Sequence, residues 1–152
     1  MRVNTLIIDD FYSNPTEVRE FALSQNFDVD GNYPGHRTVS HLDDGLKDSL
    51  QDLVEPFAGR VTNWGGDYSG SFQYTTADDR SWIHSDSTTG WAAVLYLTPD
   101  APVSSGTGLY KHKETGLCGW DNTKHTEEES SLAPHMTCLL YTSDASDDSL
   151  RV

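Results

Sequence analysis

The order of apolar and polar positions divides the chain into a helical first part and a β-rich second part. Thr5-Leu6-Ile7-Ile8 is a short apolar run closed by Asp9-Asp10, and it predicts a first strand. Ser13-Asn14-Pro15 then marks a helix start. Ser13 or Asn14 can accept from first-turn amides, Pro15 has its φ preset, and Glu17 lies near the positive end of the helix dipole. Val18, Phe21 and Ala22 fall on one face, so this helix should run to about Gln25. Asp28 to Gly35 is turn-rich, and Arg37 to His41 reads as a strand or an extended loop. A second helix should begin at Asp43 or Asp44, carry Leu46, Leu50, Leu53, Val54 and Phe57 on one stripe, and stop at Gly59.

Beyond Gly59 the periodicity becomes that of strands. Arg60–Trp64, Ser71–Thr75, Ser81–Asp86 and Gly108–Lys113 are expected strands, and Trp91–Thr98, the most apolar stretch, is expected to be a central one. Pro99 to Gly106 reads as a loop, and Glu114 to Met136 is polar and irregular. Two helices followed by a run of strands predict an α+β, mainly β fold, with the helices packed on one side of a sandwich or barrel.

Composition narrows the function. The 152 residues suit one domain with a real core. Lys and Arg number 10 against 24 Asp and Glu, a formal charge of −14, which disfavours phosphate backbones and anionic membranes as partners. Cys118 and Cys138 form no CxxC pair and no disulfide framework, the N-terminal apolar run is too short for a signal peptide, and no stretch reaches membrane-spanning length. These features predict a cytoplasmic protein. No Ser/His/Asp hydrolase elbow, phosphate-binding glycine loop or zinc cluster occurs, and the runs Asp43-Asp44, Asp78-Asp79 and Glu127-Glu128-Glu129 lack calcium-loop spacing and read as exposed charges.

His84-Ser85-Asp86 is the triplet that carries chemistry. On a strand, residues two apart face the same way, so an imidazole nitrogen and a carboxylate oxygen would stand side by side. That supplies two of the three ligands of a two-His, one-carboxylate site, which leaves positions on Fe(II) open for a cosubstrate and oxygen. His-x-Asp alone is weak, because a surface turn before Ser87-Thr88-Thr89 explains it without metal. Its flanks strengthen it: Gly70-Ser71-Phe72-Gln73-Tyr74 precedes it, Trp91 to Thr98 follows, and a Pro/Ser/Gly loop leads to Gly106-Thr107-Gly108.

In that order the stretch from Phe72 to Tyr110 resembles the first half of the double-stranded β-helix of Fe(II)/2-oxoglutarate oxygenases of the prolyl 4-hydroxylase-like subgroup. Asn14-Pro15-Thr16-Glu17-Val18-Arg19 and Arg80-Ser81-Trp82-Ile83-His84 are similar to a group of small phage and marine bacterial members, so the resemblance spans about Thr5 to Gly116 and would place the protein in an infected host's cytoplasm. It implies a jelly roll with two N-terminal helices packed on it. It also implies Fe(II) held by His84 and Asp86, and 2-oxoglutarate contacted by Tyr74 with Thr107 nearby. The activity implied is C–H hydroxylation, coupled to 2-oxoglutarate decarboxylation, of a small-molecule or peptide substrate. A non-enzymatic jelly-roll binding module or phage accessory protein is the alternative, and a cupin-like isomerase would need more His ligands.

The family also needs a distal His, and an Arg or Lys about ten residues later to pair with 2-oxoglutarate. His112, between Lys111 and Lys113, comes too soon and reads as solvated; His125 lies in a Glu-rich stretch; His135 is the one late possibility. An origin for this gap lies at the end of the chain. Cys138-Leu139-Leu140-Tyr141-Thr142-Ser143 is the translation of TGT CTC TTA TAC ACA TCT, the end of transposase-based sequencing adaptors, and Asp144-Ala145-Ser146-Asp147-Asp148 resembles the next adaptor segment. The expectation is a partial oxygenase-like domain over 1–137, incomplete at its C-terminus, followed by a non-native tail over 138–152. The tail holds Asp144, Asp147 and Asp148 against Arg151, so the chain is acidic with or without it.

Overall fold

A computed structural model of the chain describes residues 5–66, 68–84, 90–102, 105–114 and 116, together with the backbone of strands at 136–142 and 150–151. Strand β1 is Ile7–Ile8, helix α1 Pro15–Leu23, β2 His36–Ser40, helix α2 Asp44–Ala58, β3 Ser71–Tyr74, β4 Val94–Leu95, β5 Thr107–His112, β6 Met136–Thr142 and β7 Leu150–Arg151. The chain is a mixed α+β protein that divides into two compact units. One comprises residues 1–6 and 17–81, the other residues 7–16 and 82–152.

Both predicted helices form, at the predicted starts. Pro15 is the first residue of α1 and Glu17 lies in its first turn. The last turn of α1 holds no basic residue, and local side chains cover its carbonyls instead: the Ser24 hydroxyl donates to Phe21 O at 2.7 Å and the Gln25 amide to the same oxygen at 3.0 Å. The helix therefore stops at Leu23, two residues short of the expected end. At α2 the carboxylate of Asp43 accepts from Leu46 N at 2.8 Å. Gly59, at φ 76°, ends the helix and donates its N–H to Glu55 O at 2.9 Å.

In the same unit β2 and β3 pair antiparallel, His36 opposite Tyr74, Arg37 opposite Gln73 and Ser40 opposite Ser71, with an irregularity between Arg37 and Ser40. Thr38 sits at that irregularity and is wholly buried. Its hydroxyl accepts from Phe72 N at 3.1 Å and donates to Val39 O at 2.7 Å, so a side chain satisfies backbone groups where the register shifts. Phe21 of α1 meets His41 and Phe72 edge-on, with ring centroids 5.3 and 5.9 Å away, and this ties the helix to the ribbon. Among the described residues Ala22 and Val54 are the buried apolar ones, while Phe21, Leu23, Val39 and Phe57 keep half or more of their surface exposed.

In the second unit β7 lies between β1 and β4 and pairs antiparallel with both, Leu150 opposite Ile8 and Leu95, Arg151 opposite Ile7 and Val94. Strand β5 pairs antiparallel with β6 from Thr107 opposite Thr142 to His112 opposite Met136, with a shift between Leu109 and Tyr110. Along β5, Gly108, Tyr110 and His112 are more buried than Thr107, Leu109 and Lys111, the alternation of a half-covered strand.

Three strand expectations change. Within Trp91–Thr98 only Val94–Leu95 is a strand, and Trp91 and Val94 are exposed at 36% and 41%. An apolar run becomes a buried central strand only when covered on both faces, and β4 is paired to a strand of two residues. Residues 60–64 form no strand because side chains take nearby donors: Val61 N gives to the Gln51 side-chain oxygen at 2.8 Å and Gly65 N to that of Asn63 at 3.0 Å. Residues 81–84 are likewise irregular. His112, expected in solvent, is 6% exposed, because it falls on the covered face of β5.

Candidate functional site

His84 follows Trp82 in the irregular segment after Ser81, and its ring is exposed. Its Nδ1 stands 3.1 Å from the carbonyl oxygen of Trp82, whose indole is tilted 48° to the imidazole with centroids 6.0 Å apart. With the proton on Nδ1 this contact orients the ring and puts the lone pair on Nε2. Metal-binding histidines are commonly held this way, one nitrogen donating to a backbone carbonyl while the other ligates. Asp86, the expected second ligand, lies outside the described residues, as do His125 and His135. Among the described residues no group of three or more His, Cys, Asp and Glu side chains is gathered to hold a metal ion.

Tyr74 ends β3 in the first unit. Its ring stacks on His36, with centroids 5.0 Å apart and an interplanar angle of 26°, and meets Phe27 edge-on at 4.9 Å. It is 41% exposed, so its local role is to close the end of the β2–β3 ribbon while one side of the ring faces solvent. Thr107 opens β5 in the second unit, and its hydroxyl oxygen accepts from the Tyr96 hydroxyl, joining the apolar stretch to that strand. The local contacts of the expected site residues that can be placed include His84 with Trp82, Tyr74 with His36 and Phe27, and Thr107 with Tyr96.

Polar groupings that no sequence motif marks lie in the first unit. The Arg37 guanidinium sits 4.2 Å from the ring centre of Tyr33 and 5.0 Å from that of Tyr68, and its Nε donates to the Gln73 side-chain oxygen at 2.5 Å. Burial raises the Tyr33 hydroxyl above the usual phenol range and Arg37 opposes it, while Tyr68 and Asp30 add to the rise. Asp79 is held below the ordinary carboxylate value, first by the Thr76 backbone N–H at 2.6 Å, then by the Thr76 hydroxyl at 2.9 Å, with His36 acting in the same sense and burial opposing. His41 Nε2 is buried without a hydrogen-bond partner among the described residues. The cross-strand spacing of Arg37 and Gln73 is open to sequence reasoning once β2 and β3 are paired; the turn that brings Tyr68 back to Tyr33 is not.

No described helix is long and apolar enough to cross a membrane. The chain is a small α+β protein with paired antiparallel strands and a solvent-facing, backbone-anchored histidine in its second unit. It belongs to DUF6445, a family of unknown function, whose sequence profile matches residues 2–138. No curated protein and no solved structure matches it.

Proposed function

We propose that the chain carries two of the three iron ligands of an Fe(II)/2-oxoglutarate-dependent dioxygenase of the hydroxylase type, built on a double-stranded β-helix. The observation that carries this reading is His84-Ser85-Asp86, set between the strand ending at Tyr74 and the apolar stretch Trp91–Thr98. The local geometry of His84 fits a ligand: the ring is exposed and its Nδ1 is within reach of a backbone carbonyl. His84 and Asp86 would hold Fe(II). By the resemblance Tyr74 would contact 2-oxoglutarate, and Thr107, which accepts a hydrogen bond from the Tyr96 hydroxyl, would steady the start of β5. Bound iron would supply oxygen activation coupled to decarboxylation of 2-oxoglutarate, and the chain's part is to bind, orient and shield. The fold assignment draws on the strands β3 to β7 that follow the second helix and on the antiparallel pairing of β5 with β6.

Anaerobic titration with Fe(II), followed by calorimetry, tests the site on the full chain. Binding should be weak, because two ligands hold iron poorly. His84→Ala and Asp86→Ala should each weaken it by a further factor of about ten, roughly 1.4 kcal/mol. His84 is exposed, so His84→Ala should keep the circular dichroism spectrum of the parent. Sustained 2-oxoglutarate turnover by this chain is not expected, since no Arg or Lys stands in a suitable setting after a distal His to anchor the cosubstrate. Identical isotherms for the parent and both variants would discard the metal site and leave the non-enzymatic binding module.

A further inference from the structure

We draw no further inference here: the strongest candidate, the cleft of about 350 Å³ between helix α2 and the returning segment 60–64, gathers Asp44, Asp48 and Glu55 beside the buried amide nitrogen of Gln51 but carries nothing, because the Gln51 side chain is itself partly exposed and no second observation points to a ligand for the acidic residues.

Discussion

Thr38 and Asp79 show how single side chains do the work of missing backbone partners. The Thr38 hydroxyl serves the amide of Phe72 at a register shift and is wholly buried while doing so. Thr38→Val keeps the shape and removes the acceptor, leaving a half-buried amide without its bond. The expected cost is about 1–3 kcal/mol, read as a lower urea midpoint at unchanged slope. A midpoint equal to the parent's would mean that water replaces the hydroxyl. Asp79 concerns pH instead. Its folded pKa lies below the ordinary 3.8, so its contribution to stability is present above that value and fades as pH falls below it. Thr76→Val retains the backbone amide and removes the hydroxyl, so the Asp79 titration, followed by NMR, should move part of the way back toward 3.8. An unmoved titration would assign the whole shift to the amide. The role of Thr38 cannot be read from the chain, because it depends on where β3 brings a backbone N–H 34 residues away, whereas the Asp79 bonds span three residues.

The two helices are legible because their signals are local. Asp43 before the apolar stripe and Gly59 after it mark α2, and the structure uses both, the carboxylate on Leu46 N and the glycine at φ 76°. Asp43→Ala should therefore cost about 0.5–2 kcal/mol, measurable by thermal melting at 222 nm, whereas Asp43→Asn or Asp43→Ser should cost less. Equal losses in all three would point to charge rather than to the cap bond. The strands are less legible because pairing is not local. Ser71–Tyr74 and Thr107–His112 form almost as expected, since each finds an antiparallel partner at least as long as itself. Trp91–Thr98 is as apolar as a central strand should be, yet a two-residue partner leaves most of it unpaired. The site divides along the same line. The neighbours of His84 are close in sequence, so its anchoring carbonyl lies only two residues away. Tyr74 enters the site by resemblance, and its stacking on His36 depends on the β2–β3 register. Residues 138–142 and 150–151, expected to be foreign, lie within β6 and β7, which needs no selected sequence because ladder bonds are made by backbone and Leu-Leu-Tyr-Thr is tolerated in a strand.

For the whole molecule, net charge bears on stability through the self-repulsion of the compact state. At −14 over 152 residues the folded chain repels itself, and the described ion pairing offsets little of this: Lys47 meets Asp44 at 3.1 Å, but the aspartate is 96% exposed, so the pair is worth at most about 1 kcal/mol. Among the described residues, Phe21, Leu23, Val39 and Phe57 keep half or more of their surface exposed. Repulsion between exposed charges is screened by salt. Raising ionic strength from about 0.01 M to about 0.15 M shortens the screening length from roughly 30 Å to roughly 8 Å. Stability should therefore rise with added sodium chloride, seen as a higher urea midpoint, and most of the gain should arrive below about 0.15 M because long-range repulsion is already screened once the screening length has fallen to roughly 8 Å. A hydrophobic salting-out effect would instead keep growing toward molar salt and be larger with sulfate. A midpoint that is flat or falls below about 0.15 M would show that attractive pairs outweigh the net repulsion, and that the acidity of this chain is a matter of solubility rather than of folding.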